Sequence, residues 1–70
     1  MGKAAAIEKM KTELIDLNSR IQRHNSFIAE STSYKKLDLT DKKLLTDQIS
    51  AMKIYSDVLS VRIERAQSSI

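Results

Sequence analysis

Residues 44–66, LLTDQISAMKIYSDVLSVRIERA, decide how this chain folds. They contain no Gly and no Pro, so nothing interrupts a helix of about six turns. Leu45, Ile49, Met52, Leu59 and Ile63 recur at three- and four-residue steps, with Ser56 as the one polar interruption. That spacing defines one face of a helix. A second stripe, a quarter turn round, carries Leu44, Gln48, Ala51, Tyr55, Val58 and Arg62, and Ile54 and Val61 lie further on. Only the arc of Thr46, Ser50, Lys53, Asp57, Ser60 and Glu64 is wholly polar. A helix in a two-helix protein needs a single apolar face. The surplus calls for cover from outside the chain.

The preceding half supplies the partner helix, expected over about residues 3–30. Ile7, Met10, Leu14, Leu17, Ile21, His24 and Ile28 alternate in steps of three and four, which is an a/d seam. Lys9 with Glu13 and Asp16 with Arg20 are spaced for ion pairs on the outside, and Ile15 and Phe27 fall off the seam. Residues 31–40 form the connection. Ser31, Thr32 and Ser33 compete for backbone hydrogen bonds and end the first helix. Tyr34 and Leu37 are placed to fold back over the end of the hairpin. Thr40 reads as the N-cap of a second helix over about residues 41–66, with Leu39 and Leu44 as a hydrophobic staple. Lys35, Lys36, Lys42 and Lys43 cluster at this turn, as a solvated end or as an anion-attracting rim. The expected fold is all-α: one domain over residues 1–70, an antiparallel helical hairpin. A chain of 70 residues without a cysteine or any other staple gains stability by self-association, so a homo-oligomer, dimer or tetramer, is expected.

Composition narrows the chemistry. The net charge of +3 and pI near 9.4 come from basic residues interspersed with nine acids, never more than two in a row, so no DNA-binding surface is expected. One His and no Cys leave no ligand set for zinc, and one Gly cannot build a phosphate-cradling loop; no cofactor is expected. The start lacks the apolar core of a signal peptide, and no segment approaches the roughly 20 apolar residues of a membrane span. A cytoplasmic protein is expected, and not an enzyme, because no nucleophile has an activating base and the carboxylates are scattered.

Binding remains. Tyr55 and Arg62 lie two turns apart on the second stripe, Gln48 lies two turns before Tyr55, and Arg62 has no acid three or four positions away. A guanidinium in an apolar stripe must meet an anion elsewhere, a carboxylate of another chain or a ligand phosphate. Tyr55 can stack on a base or fill an interface. Met52 and Arg65 adjoin this stripe, and Arg20, Arg23 and His24 are the polar candidates of the first helix. His24 also reads simply as a half-buried residue at the end of the seam.

Leu44, Leu45, Gln48, Ala51, Met52, Tyr55, Val58, Leu59, Arg62 and Ile63, with Glu13-Leu14, Arg20-Ile21 and Phe27-Ile28 before them, resemble the pattern of a family of very small tailed-phage proteins. The likeness covers nearly the whole chain. Members of that group include anti-CBASS sponges, helical hairpins that assemble and sequester cyclic dinucleotides such as cGAMP. The resemblance implies that function, with the ligand-binding set Arg62, Tyr55, Gln48, Met52, Arg65, Arg23 and His24. The alternative is a structural or protein-binding hairpin, in which the surplus apolar arc meets a partner protein.

Overall fold

A computed structural model describes residues 2–68. Two long helices, α1 (Gly2–Glu30) and α3 (Leu39–Ser68), flank a single turn of helix, α2 (Thr32–Lys35), and no strand occurs among the described residues. The molecule is a rod of 49 × 15 × 15 Å. Three side-chain contacts fix its direction: Tyr55 meets Glu13, Ser56 meets Asn18 and Gln48 meets His24. From Glu13 and Asn18 to His24 along α1, the partner falls from Tyr55 and Ser56 to Gln48 along α3. The helices are antiparallel.

The seam read from the sequence is the core. Ile7 and Leu17 of α1 and Ile49, Leu59 and Ile63 of α3 are buried. Met10, Leu14, Ile21, His24 and Ile28 are half-buried with Leu45, Met52 and Ser56, completing the a and d positions of both helices. Ser56, the polar interruption, donates to Asn18 Oδ1 at 2.7 Å, so a hydroxyl in an apolar stripe keeps its hydrogen bond. Oil-like packing is thin here, because each helix buries only one narrow stripe.

The connection departs from the sequence reading in its caps. Ser31 N–H donates to the Phe27 carbonyl at 3.0 Å and closes α1. Ser31 then adopts φ −82°, ψ 130° and caps α2, accepting from Ser33 N–H at 3.1 Å. The N-cap of α3 is Asp38, not Thr40: its Oδ1 accepts from Asp41 N–H at 2.8 Å. A carboxylate binds the helix's free N–H groups more strongly than a hydroxyl, and it also matches the positive end of the helix dipole. The helix consequently starts two residues before 41, at Leu39. With the cap at Asp38, Leu39 is the first helical residue and is 84% exposed, so the expected staple between Leu39 and Leu44 does not form.

An aromatic plug closes the same end. The Phe27 and Tyr34 rings meet edge to face, with centroids 6.1 Å apart and planes at 84°. Lys42 Nζ sits 5.4 Å from the Tyr34 centroid. Lys43 pairs with Asp47 at 2.8 Å. Two of the four lysines of the expected anion-attracting rim are thus engaged within the chain.

The surplus apolar arc is left uncovered. Ile15, Leu44, Ile54, Val58 and Val61 are all exposed. No helix of the described residues is long and apolar enough to cross a membrane.

Candidate functional site

Residues that immediately precede the a positions flank the seam: Glu13 and Arg20 on α1, and Gln48, Tyr55 and Arg62 on α3. Antiparallel packing brings the two sets to one side of the rod, facing each other across the core. Tyr55 reaches over and donates its hydroxyl to Glu13 Oε2. Glu13 is therefore turned towards α3 and forms no ion pair with Lys9. Asp16 and Arg20 do not pair either, whereas Lys11 pairs with Glu8 at 3.9 Å.

The same register explains the isolation of Arg62. One heptad along from the Glu13–Tyr55 pair, the residue across the seam from Arg62 is Ala6, which offers no side-chain acceptor. Among the described residues Arg62 has neither a hydrogen bond nor an ion pair. Its charge still reaches Tyr55. The phenol's pKa is raised above its ordinary 10.0, first by the hydrogen bond to Glu13, then by lost hydration and the Glu13 charge, while Arg62 pulls it down. Tyr55 is thus a protonated donor at neutral pH, held by the Glu13 carboxylate.

Of the other residues named from the sequence, His24 and Gln48 come together. His24 Nδ1 lies 2.7 Å from the Arg20 carbonyl, so it carries the proton and donates there, leaving Nε2 to accept from Gln48 Nε2 at 3.3 Å. Arg23 donates to Ser19 Oγ at 2.9 Å and lines a small depression with His24, Phe27 and Leu45. Met52 is half-buried inside the seam. Arg65 stands in the last turn of α3, one turn beyond Arg62. One chain therefore displays Tyr55, Arg62 and Gln48 along one flank, with His24 joined to it and Arg23 at its turn end.

Between Tyr55 and α1 lies an open groove of about 640 Å³, lined by Lys9, Thr12, Glu13, Leu17 and Arg20 among others. A shallower apolar hollow of about 310 Å³ lies beyond, between Val58, Val61, Asp57 and Arg62. The sequence reading assigned Glu13 to an outward ion pair and missed its place here. The signal was available: Glu13 and Tyr55 each precede an a position, and an antiparallel pair sets such residues side by side. No group of His, Cys, Asp or Glu among the described residues is arranged to hold a metal ion.

The hydrogen bond between Glu13 and Tyr55 has a pH signature. A raised phenol pKa means that the contact stabilises the hairpin fully below pH 10 and loses its effect as pH rises through the shifted pKa. Between neutral pH and pH 11 the parent should lose more thermal stability than Tyr55→Phe, which has no hydroxyl to lose. Parallel melting curves for both proteins would show that the contact contributes nothing.

Comparison with known families gives one result. The Sequestin family model matches residues 4–65, which includes every flank residue described above. Neither the curated proteins nor the solved structures yield a match. The chain belongs to the Sequestin family, a name that denotes binding and holding.

Proposed function

We propose that this Sequestin-family chain binds and holds a cyclic oligonucleotide second messenger, in particular a cyclic dinucleotide such as cGAMP, and does not cleave it. Its setting is the cytoplasm of an infected cell, where a phage gains by lowering the free alarm signal. The observation that carries this reading is the exposed flank on which Arg62 has no anionic partner among the described residues while a held Tyr55 ring stands two turns away. A guanidinium offers a fork of donors to a phosphate, and an aromatic ring offers a face to a base. Sequestration requires no catalytic group. It requires a preformed site of high affinity present in many copies.

The site is formed between copies of the chain. A cyclic dinucleotide has two phosphates and two bases in approximate two-fold symmetry, and a two-fold axis would present one Arg62 and one Tyr55 to each half. The uncovered Val58, Val61 and Ile54 adjoin these residues and supply the apolar contact for such an assembly. Light scattering should give a mass of two, four or more chains at micromolar concentration. A well-folded monomer would remove this part of the proposal.

Calorimetry with a panel of cyclic di- and trinucleotides is the direct test, with melting temperature as a second readout. A ligand that binds only the folded state adds RT ln(1 + [L]/Kd), about 2.7 kcal/mol at a hundredfold excess over Kd. The nucleotide should be recovered unchanged after heat release. Silence across the whole panel would leave the second reading, a protein-binding hairpin in which Arg62 meets a partner's carboxylate and the exposed apolar arc meets its surface.

A further inference from the structure

The groove beside Tyr55 has a hydrogen-bond polarity that the pairing of phosphate with Arg62 does not use. Both of its hydroxyls have spent their protons inside the protein. Thr12 Oγ1 donates to the Glu8 carbonyl at 3.1 Å, and the Tyr55 hydroxyl donates to Glu13. What the middle of the groove presents is therefore acceptors: lone pairs on those hydroxyls and the carboxylates of Asp16 and Glu13, of which Glu13 is the one held by the Tyr55 hydroxyl and has a second oxygen with no partner among the described residues. Its cationic donors are Lys9 and Arg20, about 16 Å apart along α1 at 1.5 Å per residue, with Ala5 and Glu8 lining the groove beyond Lys9. Leu17 provides an apolar floor and Tyr55 an apolar edge.

A flat, uncharged group rich in N–H donors fits the middle of such a groove, and a phosphate does not. Among nucleobases only guanine carries two donors side by side on its pairing edge, at N1 and N2. Adenine and cytosine each place a ring-nitrogen acceptor next to the amino group, which would face a carboxylate lone pair to lone pair. Uracil flanks its single N–H with two carbonyls. We infer that Glu13 is the residue that selects the base, its carboxylate accepting from guanine N1–H and N2–H, so that the preferred ligands are guanine-containing cyclic dinucleotides. This rests on the proposed sequestering role. It adds a specificity that the role does not require.

The geometry also assigns Tyr55 a double part. Its hydroxyl bond to Glu13 holds the carboxylate against the groove while its ring borders the base. Arg20 lines the groove two turns from Glu13, and Arg62 stands outside it two turns beyond Tyr55, so a cation lies to either side of the base for the phosphates to meet.

The experiment compares Kd for cyclic di-GMP, cyclic GMP–AMP and cyclic di-AMP in the parent and in Glu13→Gln. Glu13 is exposed and Gln still offers the Tyr55 hydroxyl a carbonyl acceptor, so the variant should keep the helical spectrum of the parent with a small fall in melting temperature. The parent should prefer the two guanine ligands to cyclic di-AMP by tenfold or more. Glu13→Gln should weaken the guanine ligands by about that factor and tighten cyclic di-AMP, because the amide removes the lone-pair repulsion and can donate to the adenine ring nitrogen. Tyr55→Phe, which frees the carboxylate but keeps the ring, should retain a guanine preference. Cyclic dinucleotides that bind the parent with equal affinity, or a preference unchanged in Glu13→Gln, overturn the role of Glu13 and leave the sequestering reading intact. Absence of binding by all three overturns both.

Discussion

Leu59→Asp is expected to leave no folded hairpin at 25 °C. Leu59 is the most deeply buried side chain of the described residues, at 0% exposure on the α3 seam. Truncation to Ala alone should cost about 2–5 kcal/mol, by lost burial and the cavity left behind. Small domains hold only roughly 0.05–0.15 kcal/mol of stability per residue, so that loss is comparable to the whole. A carboxylate adds the penalty of an unpaired buried charge. Met52→Asp, at a half-buried seam position, should be damaging but less so. Ile54→Asp changes a side chain that is 65% exposed within one chain, and its effect reports on whatever covers that arc. Far-UV circular dichroism with urea titration would rank the three. Equal losses for Leu59→Asp and Ile54→Asp would mean that an assembly encloses the helix on every side.

Loss of ligand binding without loss of fold is the expected result for Arg62→Ala. The side chain is exposed and makes no hydrogen bond or ion pair with the described residues, so the hairpin does not depend on it. A charge-assisted hydrogen bond to phosphate is worth about 1.5–3 kcal/mol. Removing one from each of two chains should take binding below detection at micromolar ligand. The reason for the isolation of Arg62 supplies a sharper test. Its counterpart across the seam is Ala6, so Ala6→Glu places a carboxylate where none exists. The new pair should raise stability by about 0.2–1 kcal/mol, as exposed ion pairs do, while abolishing binding by occupying the guanidinium. Tyr55→Phe should bind more tightly than Tyr55→Ala, since the ring supplies the stacking. Binding by Arg62→Ala equal to that of the parent would detach the site from this flank.

The legibility of this chain was uneven. Alternation of Ile7 through Ile28 and of Leu45 through Ile63 identifies the buried stripes almost residue for residue, because burial in a two-helix rod obeys only the helical period. The caps were harder. Asp38 and Thr40 are both good capping residues two positions apart, and choosing between them depends on how the chain leaves α2. Glu13 was misplaced for a similar reason: Lys9 lies at the favourable spacing on its own helix, while Tyr55 lies 42 residues away.

The sequence by itself determined two helices, their antiparallel packing, the seam between them and the excess of apolar surface on α3. Each of these follows from local periodicity and from a connection too short to allow any other direction. Register was decided only by the tertiary structure. It sets Tyr55 against Glu13 and Arg62 against Ala6, and a slide of α3 by one heptad would have given Arg62 the carboxylate instead. Periodicity is unchanged by such a slide, since each heptad offers an equivalent stripe. The contacts that distinguish one register from the next, Ser56 with Asn18 and Gln48 with His24, are single polar pairs, and they exist only once the helices have met.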